Sequence, residues 1–109
     1  MPDIKELKEK ELKIVSGGVS TNDINTVIND LQQISTIVSN ISELHPQKES
    51  AINEINNCIY YINLKDYDSA KIHYDELIFI FNNYLVNLLG SNTSIVGDYF
   101  SEISFLFNW

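Results

Sequence analysis

Few residues of this chain could do chemistry. Cys58 is the single cysteine, so it has no partner within the chain for a disulfide. A thiol attacks only as the thiolate, which needs a neighbouring base or cation. Cys58 instead falls in an apolar, helix-like stretch and reads as a small buried side chain. The two histidines, His45 and His73, belong to different predicted helices. Neither has a Cys or Glu at a spacing that would hold zinc. His73, next to Tyr74 and Asp75, reads as a solvated or capping side chain. Asp66, Asp68, Asp75 and Glu76 lack the glycine and spacing of a calcium loop and read as a solvated acidic face. A glycine-rich phosphate loop is missing too. The expectation is a protein that is not an enzyme and uses no metal or cofactor.

The elements that must position these residues are helical. Ser20, Thr21, Asn22 and Asp23 offer N-caps. From there Ile24, Val27, Ile28, Leu31, Ile34, Val38, Ile41 and Leu44 recur every three or four residues, the seam of an amphipathic helix. That helix must end before Pro46. Pro46 suits the first turn of a second helix, with His45 near its cap and Ile52, Ile55, Ile59 and Ile62 turned inward to about Asn63. After a break at Leu64-Lys65, Asp66 can cap a third helix carrying Ala70, Tyr74, Leu77, Ile78, Phe81, Leu85 and Leu88. Gly90 stops it. Residues Ile95 to Trp109 form a short aromatic helix. Its end, Phe105-Leu106-Phe107-Asn108-Trp109, is expected to dock on the core. Left exposed, it would suit a membrane interface or a partner groove.

Within this series the positions Cys58, Tyr61, Tyr67, Ala70 and Tyr74 are similar to those of a tetratricopeptide unit. The resemblance implies two antiparallel helices meeting closely at Ala70, with aromatic side chains filling the gaps. Only one unit is visible, so the expectation is a hairpin of that kind and not a repeat array.

The most informative stretch precedes all of this. Leu7 to Gly18 runs from Lys/Glu/Leu helix formers into Gly17-Gly18. On a helix Ile4, Leu7, Leu12 and Val15 share a face, and the glycines end it. Read back from Gly18, the stretch has Gly at the last two positions, Val15 fourth, Leu12 seventh, Glu11 eighth and Leu7 twelfth. It resembles the double-glycine leader of class II bacteriocins and related secreted peptides. Lys8 stands where that leader usually has Ser. The resemblance covers 18 of 109 residues. It implies that Leu7, Glu11, Leu12 and Val15 are read by a peptidase-containing ABC transporter. The transporter's cysteine peptidase domain would cut after Gly18, and the cargo would begin at Val19. The plain alternative is an ordinary helix with a glycine cap.

Charge separates the two parts. Residues 1–18 hold four lysines and four acids, whereas residues 19–109 hold three lysines and eleven acids, which accounts for the net charge of −8. So acidic a body suits neither nucleic acid nor anionic lipid headgroups. It also departs from cationic pore-forming bacteriocins. Leu77 to Leu89 is the most apolar region, and Asn82, Asn83 and Asn87 keep it from reading as a membrane span. The N-terminus lacks the apolar core of a secretory signal peptide.

The sequence therefore predicts an all-α protein. A leader over residues 1–18 precedes a helical cargo domain over residues 19–109, a small three- to four-helix bundle with a tetratricopeptide-like hairpin. It is made in the bacterial cytoplasm and secreted after leader removal, with a membrane or protein target outside. The alternative is an intracellular helical interaction protein, such as a bacteriocin immunity protein.

Overall fold

The computed structural model describes residues 20–41 and 45–109. The leader positions Leu7, Glu11, Leu12, Val15, Gly17 and Gly18, together with Val19, lie outside these residues, and so does Leu44. The described residues form helices, with no strand among them.

Helix α1 spans Thr21–Ser39. Its cap is Ser20, whose hydroxyl accepts from the Asp23 amide at 3.1 Å. Val27, Leu31, Ile34 and Val38 are buried, as the seam predicts, and Ile41 is buried just past the helix end. The helix stops at Ser39, short of the expected Leu44. Ser39, Asn40 and Ser42 are weak helix formers.

Helix α2 spans Pro46–Asn63, with Pro46 in its first turn and His45 as N-cap. The His45 Nδ1 accepts from the Gln47 amide at 3.1 Å, so the neutral ring carries its proton on Nε2. Of the expected row, Ile55 and Ile62 are buried, and Ala51 and Cys58 complete the buried stripe. Ile52 and Ile59 are only partly buried against the core. Contacts with α1 on one side and α3 on the other centre the buried arc on the small residues Ala51 and Cys58.

The turn into the next helix closes one element and opens another. Asp66 N donates to Tyr61 O and Lys65 N to Ile62 O, both at 2.9 Å, the paired bonds of a Schellman cap. Lys65 supplies the left-handed residue this needs, with φ 59°. Asp66 then caps α3, its carboxylate accepting from the Ser69 amide and hydroxyl at 3.2 and 2.8 Å.

Helix α3 spans Tyr67–Ile80. It continues without a break through a π-helical turn, Phe81–Leu85, into α4, Val86–Leu89. In the π turn the Val86 amide donates to Phe81 O, five residues back. An uninterrupted α-helix was expected here, and the difference matters for the core. The turn inserts one extra residue, so after it Leu85 and Leu89 are buried while Leu88 is only partly so; before it Ile80 and Phe81 are buried and Ile78 partly so. Gly90 ends α4 with φ 56°.

Helix α5 spans Asn92–Phe107 and is held to the preceding turn by Thr93 Oγ1, which donates to Val86 O at 3.1 Å. Tyr67 meets Phe107 and Tyr74 meets Phe100, so α3 and α5 run antiparallel. The tight turn at residues 64–66 makes α2 and α3 antiparallel as well. The product is a small all-α bundle. The hairpin expected over residues 58–74 is formed, with Cys58, Ala70 and Tyr74 buried and Tyr61 and Tyr67 packed on the core. The C-terminal segment docks: Asn108 adopts φ 55°, and Trp109 folds back onto Tyr74 at 4.9 Å between ring centroids. Phe107 is buried, whereas Phe105 is 65% exposed.

Candidate functional site

The residues singled out for recognition and cleavage, Leu7 to Val19, lie outside the described residues. Ser20, the residue after Val19, is the N-cap of α1. The side chains that could do chemistry elsewhere can be placed one by one.

Cys58 is fully buried, and burial, with a smaller contribution from the Glu54 charge, pushes its thiol up to about 12. It stays protonated at neutral pH and is no nucleophile. His73 corrects the expectation of a solvated ring. Its Nδ1 lies 2.9 Å from Glu54 Oε2 across the α2–α3 hairpin. Its ring stacks on Tyr61 at 5.4 Å with planes 6° apart. Neither group is fully buried. The cluster ties the two hairpin helices together. His45 serves as a helix cap beside the exposed Tyr84, which in turn meets Phe79.

The acidic face does not gather into a cation site. Asp66 is occupied as a cap, and Asp75 pairs with Lys71 at 3.0 Å on the surface, where such pairs contribute little. Among the described residues, no three His, Cys, Asp or Glu side chains are placed to hold a metal ion. None of the described helices is long and apolar enough to cross a membrane.

One polar residue breaks the pattern and was missed from the sequence. Asp30 on α1 is 3% exposed, and its Oδ2 has no hydrogen-bond partner among the described residues. Its carboxyl group faces that of Glu102 on α5. Burial, then the bond and the like charge of Glu102, raise it from an ordinary 3.8 to about 7. A signal was present: Asp30 follows Val27 by three and precedes Ile34 by four, inside the buried arc of α1.

No family model matches this chain, and no curated protein or solved structure is detectably similar to it.

Proposed function

We propose that this chain is the precursor of an exported helical protein, carrying a double-glycine leader that a peptidase-containing ABC transporter reads and removes. Leu7, Glu11, Leu12 and Val15 dock in an apolar groove of the peptidase domain as one helix face. Gly17 and Gly18, without side chains, thread its cleft, and cleavage falls between Gly18 and Val19. The single observation that carries this reading is the six-position match from Leu7 to Gly18. A cut before Val19 leaves Ser20, and hence the N-cap of α1, on the released protein. The cargo is a bacteriocin-like or effector protein whose acidic bundle acts on a protein or membrane target after release.

The test is mass spectrometry of the full chain incubated with a transporter peptidase domain. A single cut between Gly18 and Val19, lost on Gly18→Val and on Leu12→Ala, is expected. An intact chain overturns the proposal.

A second reading, an intracellular helical interaction protein of the immunity-protein kind, is favoured by one feature. The core is closed and internally hydrogen-bonded through Tyr74, and a transporter channel passes unfolded chains more easily than stable bundles. Export predicts a body that unfolds readily at neutral pH. A melting curve showing high stability there would favour the second reading.

A further inference from the structure

Asp30 and Glu102 stand on two helices packed along each other, α1 and α5. Two ionised carboxylates offer acceptors and no donor. Their contact becomes a hydrogen bond only when one of them carries a proton. Asp30 lies on the inner side, with an oxygen that no donor reaches among the described residues. Glu102 lies at the exposed edge, where protons can enter from water.

Among the described residues, no cation is placed to neutralise the pair. Besides α5, α1 packs against α2. The charged side chains of α2 are Lys48, Glu49 and Glu54. The Lys48 ammonium donates to Ile41 O at 2.7 Å, and Glu54 bonds His73. On α5 the other acid is Asp98, one turn before Glu102 and exposed, and on α1 it is Asp23, two turns before Asp30. The charge that acts on Asp30 is that of Glu102.

We propose that Asp30 and Glu102 form a proton-operated latch between α1 and α5. One shared proton closes the latch with a hydrogen bond across the interface. Loss of that proton leaves a buried carboxylate facing a second negative charge, and the contact between α1 and α5 loosens. The upward displacement of Asp30 by burial fits this assignment. The sign follows directly. The folded state holds the proton more tightly than the unfolded state. The latch therefore contributes fully below the ordinary carboxylate range and is lost as pH rises through neutrality. The inference goes beyond the export reading and stands without it.

The test uses the full chain. Carboxyl-carbon NMR follows the Asp30 titration, and thermal melts are compared at about pH 5 and about pH 8. Asp30 is expected to titrate near neutrality in the wild type and closer to the ordinary range in Glu102→Gln. Wild-type Tm should fall between the two pH values. Asp30→Asn, which keeps the shape without the charge, should melt above the wild type at the higher pH and show a shallower fall. That comparison removes the general relief of charge repulsion that acidification brings to so acidic a chain. A titration of Asp30 at about 4 overturns the latch, and so does an Asp30→Asn variant with the wild-type pH slope. Should Asp30→Asn not fold, the wild-type and Glu102→Gln titrations decide the matter alone.

Discussion

The Tyr74 hydroxyl, on α3, donates to the Phe100 carbonyl of α5 at 2.8 Å. It is also 2.9 Å from Ser104 Oγ. Because its one proton goes to Phe100, the Ser104 hydroxyl must donate to Tyr74. The ring is 1% exposed and meets Phe100 edge-on and Trp109 at a tilt. Burial is the main cause that pushes its phenol up to about 12. The last helix and the chain end are thus fastened to the hairpin by one side chain that joins a large apolar body to a satisfied polar tip.

Tyr74→Phe keeps the ring and removes the tip. The buried Phe100 carbonyl and the partly buried Ser104 hydroxyl then lose their partner. The expected loss is about 1–2 kcal/mol, read as a lower denaturation midpoint with an unchanged slope. Tyr74→Ala removes the ring contacts as well and should cost about 3–5 kcal/mol, enough to unfold a marginal bundle. Equal stability of Tyr74→Phe and wild type would mean that water replaces the lost bonds.

Cys58 carries a different expectation. Its thiol is buried and held protonated, and the thiolate is the reactive form. A thiol reagent added to the native chain at neutral pH should label it only as fast as the bundle opens. Rapid, stoichiometric labelling within the mixing time would show that α2 and α3 part far more readily than their packing implies. Denaturant should bring the rate up to that of a free cysteine.

The elements that local chemistry decides were readable in advance. Pro46 with His45 starts α2, Asp66 caps α3 and Gly90 ends α4, because each acts on backbone groups within a few residues of itself. What escaped depends on distant neighbours. His73 is half-buried because Glu54, nineteen residues away, meets it across the hairpin, and no spacing along one helix encodes that. The α2 stripe was displaced toward Ala51 and Cys58 because the helix serves two partners, and a seam of isoleucines shows only one face. Asp30 sits on a core face against its own polarity. Only the later packing of α5 brings Glu102 to it. For the leader positions Leu7 to Gly18 the sequence remains the whole of the argument.

The π turn at Phe81–Leu85 escaped for another reason, and it yields a prediction. Each residue of an α-helix turns the chain by about 100°. Had the α3 geometry continued, Tyr84 and Leu88 would lie in line with Leu77 and Phe81, while Leu85 and Leu89 would swing to the side. The extra residue reverses this. Leu85 and Leu89 are buried, and Tyr84 is turned out beside Phe79 and His45. Asn83 contributes locally, its side-chain amide donating to Phe79 O at 2.8 Å. Phe81, Leu85 and Leu88 are also spaced as an unbroken helix requires, so periodicity alone could not show the insertion. Deleting the exposed Asn82 should convert the π turn to plain α-helix while leaving the residues on both sides in their present register. Far-UV helicity should persist and stability should change by less than about 1 kcal/mol. Deleting the equally exposed Asn57 from α2 should instead rotate Cys58 and Ile62 about 100° away from Ala51 and Ile55 and abolish cooperative melting. If both deletions unfold the chain alike, the π turn is not an insertion into an otherwise regular helix, and the register argument fails with it.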